Sequence, residues 1–318
     1  MTARPAFVIS LDFELMWGVR DHETVDSYGA NILGARAAIP RILDLFERHG
    51  IRATWATVGF VFCESKDELL ASAPSLRPSY EHSRLSNYSY FQELGDSEKT
   101  EPYYFGASLI DRVMACPGQE IGSHSLSHYY CMEAGQQLAE FDADIETAVA
   151  LAKRRNIALK SFVFPRNQYL QEHLGVLKRH GFRVFRGNER AWVYNATKGM
   201  DQTKLRRGLR LLDHYVNLTG HHVHGETAQE PLIELPASRF LRPYSRKLAS
   251  LDGLRLRRIT EAIDQAAISG RIFHLWWHPH NFGANTEENL AMLKLILAHF
   301  SMQRDRYGMT SASMGDFS

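Results

Sequence analysis

Residues 8–18 read Val-Ile-Ser-Leu-Asp-Phe-Glu-Leu-Met-Trp-Gly, VISLDFELMWG. The first half has the apolar character of a strand in the middle of an α/β domain, yet Asp12 and Glu14 stand two positions apart within it. Side chains two apart on a strand point to one face, so the two carboxylates share one. Buried carboxylates are costly unless they are paired or bound to a metal. The two acids are therefore either partners of buried cations or part of a site.

Outward from this strand, apolar runs alternate with helical patterns. Ile39, Ile42, Leu43 and Phe46 keep the i, i+3, i+4, i+7 spacing of an amphipathic helix from about residue 34. Gly50 supplies its C-terminal stop, and Pro40 predicts a kink or a late start. Residues 51–61 (IRATWATVGFV), 120–123, 161–164, 182–185 and 271–277 read as further strands. Residues 136–156 and 170–180 read as helices, and another starts near residue 286 with Leu290, Leu293, Leu297 and Phe300 on its core face.

Such β–α alternation implies parallel strands with helical crossovers, in a barrel or a doubly wound sheet. Neither G-x-G-x-x-G nor G-x-x-x-x-G-K-[ST] occurs, which counts against a nucleotide-binding open sheet. Two long segments interrupt the rhythm. Residues 64–117 are acidic and aromatic. Residues 186–252 are basic, with Lys204, Arg206, Arg207, Arg210, Arg239, Arg242, Arg246 and Lys247. Both are expected to be insertions in a single domain spanning 1–318.

The 318 residues are 44% apolar and 23% charged, an ordinary globular balance. A net charge of +1 gives no push toward nucleic acid. Fifteen histidines favour metal or proton chemistry. Cys63, Cys116 and Cys131 lie far apart, which argues against a disulfide framework and fits a reducing compartment. Residues 1–14 are too short and polar for a signal peptide, and no run of about 18 apolar residues predicts a membrane span. A cytoplasmic location is expected.

Three more strand ends carry reactive residues. In EIGSHSLSHYY (120–130), His124 and His128 are spaced to share one side of a helical turn, or are exposed helix histidines. With Glu14 they make two imidazoles and one carboxylate, leaving coordination positions open. In SFVFPRNQY (161–169), Arg166 needs an anionic partner, for which Asp12 is the candidate; the alternative is a surface arginine after Pro165. In IFHLWWHPHNFG (272–283), His274, His278 and His280 surround Trp276 and Trp277, which strand alternation sends to opposite faces. A tryptophan in a cleft makes a wall for a sugar ring, although core packing is its commoner use. Trp17, Tyr169 and His280 join Trp276 and Trp277 as candidate substrate contacts. His221, His222 and His224 read as a polar loop in preference to a second metal site.

Taken together, these segments resemble the polysaccharide deacetylase family, also called the NodB-homology or carbohydrate esterase 4 family. Ser10-Leu-Asp-Phe-Glu14 is similar to its T-F-D-D motif, and His124-Ser-Leu-Ser-His128 to its H-[ST]-x-x-H motif. RATWATVGFV (52–61), Arg166 and His278 match further family positions. The resemblance runs from about residue 6 to residue 300. It implies a distorted (β/α)7 barrel in which Glu14, His124 and His128 hold a divalent metal, expected to be Zn²⁺. It also implies Asp12 as general base, Arg166 as the cation that keeps Asp12 ionised, and His278 as general acid.

D-x-E stands where D-D is usual, marking a variant branch, and Pro165-Arg166-Asn167 replaces R-x-P. These departures move the expected substrate away from chitin or peptidoglycan. The expected substrate is an N-acyl sugar, N-acetyl foremost, linked to a nucleotide or polyprenyl phosphate in surface polysaccharide or O-antigen biosynthesis. The alternatives are an allantoinase-like or deformylase-type amidohydrolase on the same fold, or a non-catalytic carbohydrate-binding barrel. The oligomeric state is left open.

Overall fold

The computed structural model describes residues 4–194 and 204–318. The chain runs β1 (Ala6–Phe13), α1 (Val25–His49), β2 (Ala53–Thr57), α2 (Lys66–Ser72), α3 (Ala107–Ala115), β3 (Gln119–Ser123), α4 (Leu138–Arg154), β4 (Ser161–Val163) and α5 (Gln171–Arg179). It continues with β5 (Val184–Gly187), α6 (Lys204–Asp213), β6 (Thr227–Gln229), β7 (Leu232–Pro236), β8 (Arg239–Phe240) and α7 (Asp252–Ser269). β9 (Ile272–Trp277), α8 (Thr286–Tyr307) and β10 (Thr310–Ala312) complete it.

The strands form one curled sheet in the order β6-β7-β5-β4-β3-β2-β1-β9-β8, with β10 also paired to β1. Every pairing is parallel except β6 with β7. The two edges of the parallel part are bridged by one stretch of chain. β7 pairs with β5, the Ala237 N–H donates to Gly187 O, the Ser238 N–H donates to His274 O, and β8 then pairs with β9. Of the barrel and the doubly wound sheet that the alternation left open, this is the distorted β/α barrel that the resemblance implies, with β7 and β8 acting as one bent strand.

Alternation on each strand separates two environments. Phe7, Ile9, Leu11 and Phe13 of β1 face outward into the large apolar layer between sheet and helices, as do Phe185, Phe273, Leu275 and Trp277. Val8, Ala56, Val163, Val184, Leu235 and Met314 form a smaller apolar cluster inside the barrel. Above it on the same inward positions stand Ser10, Asp12, Arg186 and His274, all buried. The inner face thus turns from apolar to charged toward the C-terminal ends of the strands, the end where barrel chemistry gathers.

Two expectations need correction. α1 begins at Val25, well before residue 34, because Thr24 and Ser27 form a reciprocal cap: Ser27 N donates to Thr24 Oγ1 at 3.2 Å and Thr24 N to Ser27 Oγ at 2.9 Å. Pro40 lies inside this helix. Burial of Ile32, Ile39, Ile42 and Phe46, at about 1.5–3 kcal/mol each, outweighs a proline penalty of about 3 kcal/mol.

The second concerns residues 186–252, which are no insertion outside the barrel. They supply Arg186 of β5 and the bent strand that joins β5 to β9; residues 195–203 of that segment lie outside the described residues. Residues 64–117 do depart from the β–α rhythm up to α3, the helix that leads into β3. Among the described residues, no helix is long and apolar enough to cross a membrane.

The bent strand is anchored by a buried ion network. The carboxylate of Asp213, at the end of α6, accepts hydrogen bonds from Arg239 Nη1 (2.9 Å), the Tyr194 hydroxyl (2.7 Å), the Thr219 hydroxyl (2.9 Å) and Leu218 N (3.0 Å). Burial by itself would raise its pKa, but Arg239 leads the groups that outweigh burial and hold it well below the usual carboxylate range. Breaking a buried pair by removing one partner costs about 3–5 kcal/mol. Asp213→Asn is expected to destabilise the fold by that amount in urea melts at pH 7. Because the folded-state pKa is depressed, this contribution is complete above the unfolded value of about 3.9 and is lost as pH falls toward the folded one. The gap between wild type and variant should therefore narrow in acid.

Candidate active site

Four strand ends converge at the mouth of the barrel. β1 carries Asp12 inward and ends at Phe13. Glu14 follows the strand instead of continuing it, and Leu15 (φ 49°) turns the chain into a short 3-10 turn, Leu15–Gly18. Gly18 closes against the Glu14 carboxylate so tightly that a Cβ there would stand 1.9 Å from Glu14 Cδ. Only glycine leaves room for the acid to fold back into the barrel mouth.

β3 delivers His124, and the next residues form a loop, not the helical turn expected from the H-x-x-x-H spacing. Ser125 (φ 62°) and His128 (φ 59°) take left-handed backbone conformations that reverse the chain. Asp144 of α4 pins the loop: its carboxylate accepts from Leu126 N (2.7 Å), Ser127 N (3.1 Å) and the Ser127 hydroxyl. Leu15, Ser125, His128, Arg166 and Asn167 account for five of the eight non-glycine residues with positive φ among the described residues. Backbone strain of this kind gathers where a surrounding structure over-determines a site.

The result is a compact ligand set. One ligand atom each from Glu14, His124 and His128 lies within 4.8 Å of the others, and all three residues are buried. Glu14 Oε2 is 3.4 Å from His124 Nε2 and 3.1 Å from His128 Nε2, yet it has no hydrogen-bond partner. His124 Nδ1 lies 2.8 Å from Val163 O. With Nδ1–H donating to that carbonyl, the Nε2 lone pair is turned toward Glu14. Burial lowers the His128 pKa and the Glu14 carboxylate only partly restores it, so the imidazole is neutral. An orphaned buried carboxylate oxygen facing two imidazole nitrogens fits a divalent metal.

Beside this set, Asp12 is clamped by Arg186. Nη1 meets Oδ1 at 2.6 Å and Nη2 meets Oδ2 at 2.8 Å, a bidentate pair. Arg186 also donates to Ser10 Oγ (3.0 Å) and Asn167 Oδ1 (3.1 Å), and its guanidinium lies 4.3 Å from the Trp276 ring. Burial would raise the Asp12 pKa, but Arg186, with His124 and His278, holds it below the usual range. His278 Nε2 is 3.7 Å from both Asp12 Oδ2 and Glu14 Oε1. His280 stacks on His278 with centroids 4.9 Å apart, and burial pushes its pKa down to about 3. His274 lies deeper, 2.9 Å from Ser10 Oγ, and burial pushes it down to about 3 as well.

Several expected contacts are not made. Arg166 does not reach Asp12: it pairs with Asp21 and with Glu133 (2.9 Å), and lies 4.0 Å over the Tyr130 ring. The left-handed backbone at Arg166 and Asn167 takes this turn off the strand alternation that would have pointed it inward. Trp17 is buried in the aromatic layer and donates to Tyr104 O at 2.8 Å. Trp277 is buried against Phe282 and Phe46. Neither can wall a cleft. Tyr169 packs against Phe164 and Phe185. Trp276, half-buried, does line a cleft of about 320 Å³ together with His278, Phe240 and Asn167.

The residue that sequence reading missed is Arg186. Its signal was available: in Val184-Phe185-Arg186, Val184 and Arg186 share the inner face by the same period of two that pairs Asp12 with Ser10.

The family model described as polysaccharide deacetylase matches residues 24–185, just over half of the chain. That stretch contains His124 and His128 and stops one residue before Arg186. No curated protein sequence matches the chain significantly. Among solved structures, a Mycobacterium smegmatis protein assigned to the polysaccharide deacetylases is similar at 12% identity and TM-score 0.60, covering 100% of this chain and 93% of that one. A Pseudomonas aeruginosa PAO1 protein of the same assignment is similar at 12% identity and TM-score 0.54, covering 98% and 88%. A Puue allantoinase is also similar, at 12% identity and TM-score 0.52, covering 98% and 87%. At this identity the likeness concerns the fold.

Proposed function

Since the chain belongs to the polysaccharide deacetylase family, whose members are hydrolases acting on N-acetyl sugars, we propose that it is a metal-dependent sugar N-deacylase, with N-acetyl as the acyl group. The observation that carries this reading is the meeting of a Glu14–His124–His128 ligand set with the Asp12–Arg186 pair and His278, 3.7 Å from both carboxylates.

Glu14, His124 and His128 would hold Zn²⁺. When bound, the ion supplies Lewis acidity toward the scissile carbonyl and toward water. Asp12 Oδ2, the oxygen facing His278, takes the proton of the attacking water. Arg186 keeps that carboxylate ionised and oriented, because an adjacent positive charge favours the charged form. Water oxygen bonds to the acyl carbon, the C–N bond breaks, and His278 Nε2 delivers a proton to the departing amine. Asn281 Oδ1, 3.3 Å from His278 Nδ1, steadies the ring. His280, stacked beside it, backs the imidazole.

The D-x-E and P-R-N departures favour a precursor in surface polysaccharide or O-antigen synthesis over a mature wall polymer. The free thiols of Cys63, Cys116 and Cys131 accord with the cytoplasm.

The test joins elemental analysis to amine release from a panel of N-acyl sugars. Bound metal is expected, with amine release lost on chelation and restored by Zn²⁺. Full amine release from metal-free protein would overturn metal dependence. Hydrolysis of allantoin with none of the sugar amides would favour the ring-amidase reading instead.

A further inference from the structure

The cleft at His278 extends beyond the carboxylates. One side is aromatic: Phe240 and Trp276 pack with centroids 4.8 Å apart, and the His278 ring lies 5.9 Å from the first and 5.7 Å from the second. The other side is basic. Arg207 and Arg210 are three apart on α6, hence on one helix face, and they meet Arg242, which follows β8. Among the described residues lining the cleft, Glu189 is the only acid. It is buried and already accepts the Trp276 indole N–H at 3.1 Å.

The neighbouring arginines have partners. Arg239 and Arg258 pair with Asp213, Arg190 reaches Glu234, and Arg206 donates to the carbonyls of Val193 and Trp192. By contrast, Arg207, Arg210 and Arg242 make no side-chain hydrogen bond or ion pair among the described residues. Arg210 is half-buried, and burial together with Arg206 and Arg207 pushes its pKa down. His214, buried on the same side, is pushed down to about 3 by burial and then by Arg239 and Arg242, so it stays neutral. Three like charges gathered in a cleft with Glu189 as the one acid facing them still repel one another, and an entering anion relieves that repulsion. Three guanidinium forks offer more donors than the two oxygens of a carboxylate can accept; a phosphoryl group matches them better.

We propose that this basic wall binds a phosphoryl group of the substrate, so that the acylated sugar is a phosphate or diphosphate ester and not a neutral glycan. The proposal rests on reading the adjacent residues as a deacylase centre, and places the sugar against Trp276 and Phe240.

Inorganic pyrophosphate is the probe, titrated calorimetrically into the metal-loaded protein at two salt concentrations. Binding is expected to weaken with salt. It should fall about tenfold per arginine in Arg207→Gln/Arg210→Gln and in Arg242→Gln, and persist in His128→Ala. Absence of binding to wild type would overturn the proposal. So would binding that is lost in His128→Ala but kept in the arginine variants, which would place the anion on the metal.

A second arm compares amine release from N-acetylglucosamine 1-phosphate, UDP-N-acetylglucosamine and unphosphorylated N-acetylglucosamine oligomers. The preference for phosphorylated substrate should shrink in the arginine variants, mainly through KM. Arginine-dependent pyrophosphate binding with no sugar-amide turnover at all would sink the deacylase reading and leave the anion site standing. Displacement of pyrophosphate by uridine diphosphate in preference to farnesyl diphosphate identifies a nucleotide carrier, and the reverse a lipid one. Equal displacement confines recognition to the phosphoryl group.

Discussion

Asp12→Asn is expected to lower kcat/KM by about 10²–10⁴-fold, the usual contribution of a general base, while the bound metal stays in place. The amide keeps the shape of the carboxylate but cannot take a proton from water. Metal content by elemental analysis and kcat/KM on one substrate, measured on the same preparation, check both halves. Near-wild-type turnover would remove Asp12 from the chemistry. Because Arg186 would then lie buried without its anion, a stability loss of about 3–5 kcal/mol accompanies the substitution, so rates must be referred to the folded fraction by circular dichroism. A matched pair separates the two arginines. Arg186→Met should reproduce most of the catalytic loss, since both oxygens of Asp12 are held by its guanidinium at 2.6 and 2.8 Å. Arg166→Met should leave that pair intact, because Arg166 pairs with Asp21 and Glu133.

His128→Ala is expected to abolish metal binding and, with it, activity. Removing it leaves one imidazole and one carboxylate around a position that two imidazoles and Glu14 Oε2 otherwise enclose. Loss of a single oxyanion donor costs about 10²–10³-fold in kcat; on the proposed reading the metal would serve that role together with water activation, so the fall should exceed that range. The check is metal stoichiometry after dialysis together with single-turnover rates. Unchanged metal content would refute the ligand set. A Zn²⁺ excess that restores rate but not stoichiometry would show weakened binding at an otherwise intact site.

The period of two put Asp12 and Glu14 on one face, although β1 ends at Phe13 and Glu14 follows it. The β–α rhythm implied parallel strands, and the family resemblance chose the barrel over the doubly wound sheet. His124 and His128 were legible as a pair, although not their geometry: the loop relies on left-handed backbone at Ser125 and His128, which spacing alone does not reveal. The tryptophans divided as alternation required, Trp276 toward the cleft and Trp277 into the apolar layer. Which of the two faces held the cleft was not legible from those residues alone.

The choice of arginine was decided by the tertiary fold. Arg166 lies nearer to Asp12 in sequence and follows an apolar strand, so local reading favoured it. Arg186 lies 174 positions from Asp12, at the edge of a stretch whose basic composition suggested an insertion. What brings it to Asp12 is the closure of the barrel: β5 carries Arg186 inward while the bent β7–β8 strand ties that wall to β9 and β1. The sequence by itself determined the repeating strands and helices, because hydrophobic period and turn residues act over a few positions. Only the closed barrel decided which charges meet, because that depends on strand order and register between segments far apart in the chain.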